Sequence, residues 1–295
     1  MKVLMAYARS LKVHVLSVSL FTWLANLGIS LFITLGVYRI LEDGTAQSLL
    51  LEKSDLYGDF SVWMELIRSH ASGFRLLLNQ ALVLALLYII FSIFFSGGIY
   101  RCFLFKTRPT LRKLLSDSWN IFPSFLKIFL LSLIVWIPAL VISLVGFGFL
   151  VGYLRQSGNE TLFLSLFWIW TVITFLIVSF SISVYDFARI HRMAVVPSTW
   201  GAFRAGLSFA RRRYGAILLL YLFFLLPFLL IHPLWGSVLR IFGQTPSWLL
   251  LFLLHQVFIW MKYLLKALLM HAETEMIPPR PALSAEPKQM LDATV

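Results

Sequence analysis

Six stretches of this chain run for about twenty residues or more with almost no charge, and nothing else in it limits the fold as strongly. They lie near 13–37, 76–100, 122–151, 161–185, 215–239 and 248–270. A helix rises about 1.5 Å per residue, so about 20 residues cross the ~30 Å hydrocarbon layer of a bilayer. Inside that layer the backbone must satisfy its own N–H and C=O groups, which leaves helices and closed barrels as spanning solutions. Barrel strands alternate apolar and polar positions over about ten residues. The runs here are continuous, so the expectation is an all-α polytopic membrane protein. Its six transmembrane helices would form three hairpins, accompanied by amphipathic helices on the cytoplasmic surface.

Composition agrees where it bears on the class. Charged residues make up 13% of the 295 and hydrophobic ones 60%, whereas a soluble domain is about a quarter charged. The 27 Phe and 10 Trp suit lipid-facing surfaces and interfacial belts. Lys2, Arg9 and Lys12 precede an apolar run of about 25 residues, longer than the ~7–15 of a signal-peptide core. A retained first span is expected. Cys102 is the one cysteine, which excludes an intramolecular disulfide and a cysteine-based metal cluster.

The net charge of +12 comes with no recognisable nucleic-acid motif, and its distribution fits a membrane protein better. Lys2, Arg9 and Lys12 occupy the N-terminus. Arg101, Lys106, Arg108, Arg112, Lys113 and Lys127 occupy one connection, and Arg189, Arg192, Arg204, Arg211, Arg212 and Arg213 another. On the opposite side, Arg39, Lys53, Arg68 and Arg75 are outweighed by Glu42, Asp43, Glu52, Asp55, Asp59 and Glu65. Basic loops stay in the cytoplasm, so both termini and the connections 101–121 and 186–214 are expected there. The acidic loop 38–75 is expected outside, with one or two short helices. The membrane domain would cover 1–271, and the Pro-rich stretch 272–295 would be a disordered cytoplasmic tail.

The two basic connections repeat one another 88 positions apart, Arg101 with Arg189 and Pro109 with Pro197. Each leads through a Pro-Thr or Pro-Ser-Thr signal into a helix. In the second of these, Trp200, Phe203, Leu207 and Ala210 share a face and Arg204 and Arg211 lie off it, as in a helix resting in the membrane surface. The N-terminal twelve residues are expected to form a third such element.

Polar residues within or beside the spans are the candidate sites, because an ionisable group in lipid is costly. Asp186 and Arg189 stand three apart and can meet on one helix face. They read either as an ion or proton site or as a local pair that tethers a helix end. His255, Lys262 and Lys266 fall near one stripe of the last span. This stripe either contacts an anionic lipid or solute or snorkels to the interface. Asn26, Asn79, Gln80 and His232 are read as interhelical hydrogen-bonding groups. Gly148-x-x-x-Gly152 would permit close helix contact. Arg211, Arg212 and Arg213 are candidate contacts for anionic headgroups, with topology-setting charge as the plainer role. No Walker loop, H-E-x-x-H, G-x-S-x-G or dinucleotide fingerprint occurs. No catalytic residue, metal ligand or cofactor is expected.

Ser48, Asp59, Trp63 and Glu65, with SGGIYR at 96–101 and YDFAR at 185–189, resemble a family of bacterial six-span inner-membrane proteins. The last two elements are also similar to the membrane domain that accompanies some glycerophosphodiester phosphodiesterases. The resemblance implies a fold and an inner-membrane location. The chain has no catalytic phosphodiesterase domain, so the resemblance implies no activity. The functional expectation is a non-enzymatic membrane component that contacts lipids, anionic ones among them, or a membrane or periplasmic protein partner. The alternative is a small-solute transporter or exporter, resting on the hairpin repeat, on Pro138 and Pro227 inside spans, and on the stripe through Lys262.

Overall fold

The computed structural model describes residues 15–45, 68, 71–107, 109–157, 159–196, 198–242 and 248–277. Six helices account for nearly all of them: α1 Val15–Thr45, α2 Ala71–Leu104, α3 Leu111–Ser157, α4 Glu160–Ala194, α5 Thr199–Phe242 and α6 Trp248–Glu275. No strand occurs among the described residues. Five helices contain segments long and apolar enough to cross a membrane, at Leu78–Leu104, Leu111–Tyr153, Thr161–Ala194, Thr199–Val238 and Phe252–Glu275. That is the signature of a multi-pass helical membrane protein. The apolar segment recognised in α1, Val15–Gly28, is shorter. The expected N-terminal surface helix, the centre of the acidic loop and the tail from 278 lie outside the described residues.

Helices start where the sequence supplies a cap. Asn159 accepts a hydrogen bond from the Leu162 N–H at 3.0 Å ahead of α4, and Ser198 Oγ accepts from Gly201 N–H at 3.1 Å at the start of α5. They end later than the charge pattern implied. α2 continues through Arg101 to Leu104 and α4 through Asp186, Arg189 and Arg192 to Ala194. The expected connections 101–121 and 186–214 therefore contract to 105–110 and 195–198. Two further expectations need correction. α1 extends to Thr45, into the acidic loop. α6 extends to Glu275, four residues into the stretch expected to be a disordered tail.

α3 has 47 residues and α5 has 44, so at 1.5 Å per residue each measures roughly 65–70 Å, about twice the hydrocarbon thickness. The surplus is the basic segment at each N-terminus. In α5 that segment is set off from the rest by non-helical geometry at Arg213 (φ −117°, ψ 15°). In α3 it runs straight on through Pro123, so the separate surface helix expected there is part of one continuous helix.

The chain divides into two units, Phe21–Ser92 on its own, and everything up to Leu20 together with everything from Ile93 on. In the smaller unit α1 and α2 present apolar side chains outward, among them Leu24, Leu31, Leu82 and Leu86. In the larger unit the packed core lies at one end of the helices. Tyr100 of α2, Phe125 and Ile128 of α3, Val184, Phe187, Ala188 and Ile190 of α4, and Ala202, Ala210 and Ile217 of α5 are all essentially inaccessible. Further along, α3 leaves Ile137, Leu140, Leu144 and Phe149 exposed, and α4 leaves Leu164, Trp168 and Ile169 exposed. An exposed apolar surface of that extent marks an interaction surface, and on helices long enough to span a bilayer it fits lipid. Lipid is as apolar as a core, so helix association there depends on close packing rather than on expelling water. Small residues provide it. A Cβ on Gly206 would lie 2.5 Å from the Ala188 nitrogen, and one on Gly98 would lie 2.5 Å from the Leu114 carbonyl oxygen. The backbones of α4 and α5, and of α2 and α3, touch at these points.

Candidate functional site

The buried end of the larger unit holds a polar cluster drawn from four helices. Arg189 and Asp186 of α4 form a buried ion pair one helical turn apart. The Arg189 Nη2 also donates to the Tyr100 hydroxyl of α2 at 3.4 Å, and that hydroxyl donates to Glu273 Oε2 of α6 at 2.9 Å. Tyr221 of α5 interacts electrostatically with Glu273, yet its hydroxyl forms no hydrogen bond among the described residues. The guanidinium lies over three rings, 4.0 Å from the centroid of Tyr185, 4.9 Å from Tyr100 and 5.9 Å from Phe125 of α3. Cation–π contacts contribute about 0.5–2 kcal/mol each, most when desolvated. A buried pair that loses one partner costs about 3–5 kcal/mol, because the other charge is stranded. Arg189 is therefore the side chain on which this end of the fold depends most.

Several features of the cluster are local consequences of sequence. Asp186 and Arg189 meet because a helix brings positions three apart onto one face. Tyr185 stacks on the same guanidinium from one residue further back. Tyr100 belongs to SGGIYR and Arg189 to YDFAR, the two segments that repeat at the 88-residue offset. The repeat is imperfect at its acid. Arg101, the counterpart of Arg189, pairs at 3.2 Å with Asp117 of α3 rather than with an acid on its own helix. The position matching Asp186 is Gly98, where the backbone of α3 needs the space. One repeat thus ties its arginine outward to the next helix and the other inward to its own.

Glu273 and Tyr221 were not singled out from sequence. Glu273 lies in HAETE, which looks like the start of a polar tail, and its partner Tyr100 is 173 positions away. The neighbouring Glu275 pairs with Lys106 at 3.7 Å, which fastens the same helix end to the turn after α2. Lys106 itself adopts a left-handed conformation (φ 51°) to make that turn. The polar groups gather around one another: Tyr100 is 0% exposed and Glu273 1%. Among the described residues no group of His, Cys, Asp or Glu is placed to hold a metal ion.

The stripe of α6 is arranged differently. Lys262 is half-buried, with Nζ 4.3 Å from the ring centroid of Phe258 and 5.6 Å from that of Phe228 on α5. His255 packs against Trp235 of α5 at 5.3 Å between centroids, and Lys266 is exposed. The structure places Lys262 and His255 at the α5–α6 seam, beside the rings of Phe228, Phe258 and Trp235. His232 Nδ1 lies 2.7 Å from the Phe228 carbonyl oxygen of its own helix. Asn26 is half-buried in the smaller unit, where Asn79 and Gln80 are exposed. Gly148 and Gly152 have open space where a side chain would begin, so that pair mediates no close contact. Gly146 does so instead, lying against the Trp170 ring of α4.

The first turns of α5 form an exposed basic surface. Ala202, Phe203, Gly206 and Ala210 are buried, with Gly206 on Ala188 and Phe209 on Phe187 at 4.6 Å. Arg204, Arg211, Arg212 and Arg213 are exposed, as are Trp200 (54%) and Leu207 (36%). The apolar face expected from periodicity is thus split: Phe203 and Ala210 bind α4, while Trp200 and Leu207 face outward beside the arginines. Immediately after the break at Arg213, the Tyr214 hydroxyl donates to the Leu176 carbonyl at 2.6 Å, which pins the segment to α4. The chain matches no protein-family profile, no curated protein and no solved structure.

Proposed function

We propose that the protein is a non-enzymatic, multi-pass component of the bacterial inner membrane whose cytoplasmic basic surface holds anionic lipid headgroups. In this reading α1 supplies a sixth span, the helices pair as three hairpins, and both termini lie in the cytoplasm. One observation carries it. The Thr199–Arg213 segment is locked to α4 by one face and turns Trp200, Leu207, Arg204 and Arg211–Arg213 outward together. An indole and a leucine beside four guanidinium groups match the chemistry of an interface, where apolar side chains enter the acyl boundary and cations meet phosphate. The resemblance carried by SGGIYR and YDFAR supports the same location. The alternative, a small-solute transporter, rests on Lys262 and His255, whose packing against the rings of Phe258 and Trp235 supports the lipid reading over it.

The test is lipid retention by purified full-length protein in nanodiscs of mixed anionic and zwitterionic lipid, read by native mass spectrometry. The wild type retains anionic lipid in preference, less so at high salt. At about 1 kcal/mol per surface basic residue, the Arg211→Ala, Arg212→Ala, Arg213→Ala triple variant loses roughly 100-fold of that preference. Equal retention of both lipid classes by the wild type refutes the proposal. A protein partner copurifying in place of lipid would assign the same surface to protein recognition.

A further inference from the structure

Outside the basic surface, the cluster around Arg189 has an unbalanced charge. Among the described residues it holds one cation, Arg189, and two carboxylates, Asp186 and Glu273, all buried. Asp186 is neutralised by Arg189. Glu273 receives a single hydrogen bond, from Tyr100, and its Oε1 has no partner among the described residues although the side chain is 99% buried. The buried Tyr221 hydroxyl interacts electrostatically with Glu273 and has no partner in hydrogen-bonding geometry among the described residues. Among the described residues, the charged or titratable groups that act on Glu273 are Tyr100 from α2, Asp186 and Arg189 from α4, and Tyr221 from α5. α3 contributes the apolar Phe125 to the Arg189 side of the cluster. A carboxylate left charged in such a place is strongly disfavoured, and an unmatched buried oxygen adds to the penalty.

We propose that Glu273 is a proton-binding site, its buried carboxyl group carrying a proton at neutral pH while it accepts from the Tyr100 hydroxyl. One proton makes the described cluster neutral and removes the stranded charge. The chain of donors runs Arg189 to Tyr100 to Glu273, linking α4, α2 and α6. A metal cation would fit poorly, because hard cations take six or more oxygen ligands and two unpartnered oxygens are present here. The proton comes from solvent and forms the O–H bond of a neutral carboxylic acid, and its departure restores the carboxylate.

Infrared spectroscopy of the full chain in nanodiscs at neutral pH tests this. The carbonyl stretch of a protonated carboxylic acid is expected in the wild type. It moves when the protein is grown with carbon-13 glutamate, downshifts in heavy water, and is absent in Glu273→Gln, which keeps the size and the Tyr100 contact. If Glu273→Gln fails to fold, Tyr100→Phe serves instead, since removing the one donor to Glu273 shifts the band in frequency. The proposal is overturned by a wild-type spectrum without the band, by a band that persists in folded Glu273→Gln, or by one that Tyr100→Phe leaves unmoved. None of these outcomes depends on lipid binding, so the two proposals stand or fall separately.

Discussion

Arg189 and Lys262 show how two cations on the same kind of helix reach opposite energetic outcomes. Arg189 is 8% exposed and has an ion pair, a tyrosine hydroxyl and three aromatic rings around it. Truncation to Arg189→Ala strands Asp186 and is expected to lower stability by about 3–5 kcal/mol, seen as a lower melting temperature or a loss of monodisperse protein in detergent. Among the described residues, the contacts that offset the charge of Lys262 are the rings of Phe258 and Phe228. Contact with Phe258 and Phe228 contributes about 0.5–2 kcal/mol, while a lysine in the middle of a spanning helix costs about 2.5–3.5 kcal/mol on insertion scales. The second figure wins. Lys262→Met is therefore expected to fold with an unchanged or higher melting temperature, and a clear drop would show that Lys262 has a partner that rings do not supply. Asp186→Asn tests the charge balance of the cluster. With the acid gone, Glu273 takes over as counter-ion to Arg189, so the protonated-carboxyl band weakens while the protein stays folded.

At the scale of elements, glycines separate contacts that matter from spacings that merely look suggestive. Gly206 lies against the Ala188 backbone, and neither helix can withdraw without opening the α4–α5 seam. Gly206→Ala is expected to cost about 1–3 kcal/mol through overpacking. Gly148→Ala meets nothing and gains up to about 1 kcal/mol of helix propensity, so its melting temperature should hold or rise. Spacing alone does not separate the two cases: Gly148-x-x-x-Gly152 and Ala202-x-x-x-Gly206-x-x-x-Ala210 both place small residues four apart, and only the second lies against another helix. Helix ends were misjudged for a related reason. Charge at Arg101, Asp186 and Arg189 looks like an exit from lipid, yet Arg101 pairs with Asp117 of the next helix and Asp186 and Arg189 pair within α4, so α2 and α4 continue.

For the molecule as a whole, helix length sets the disposition in the membrane. α3 is roughly 70 Å long and only about half of it fits the hydrocarbon. Exposed Lys113 marks one end of the surplus and exposed Leu140 lies in the apolar stretch. A cysteine at Lys113→Cys should react with a membrane-impermeant maleimide applied from the cytoplasmic side, and one at Leu140→Cys should not. Cys102 is buried and contributes no competing signal. Labelling of Lys113→Cys from the opposite side would reverse the proposed orientation.

The sequence alone determined that this chain is built of long apolar helices with basic ends. In lipid each backbone must close its own hydrogen bonds, so helicity follows from local composition, and the Asp186–Arg189 pair follows from helical spacing. Tertiary structure alone decided what the ends of those helices are for. Nothing local distinguishes the Glu273 of HAETE from a tail residue, or the Tyr100 of SGGIYR from an interfacial aromatic. Their hydrogen bond joins positions 173 apart, and so the cluster exists only once α2, α4, α5 and α6 have come together.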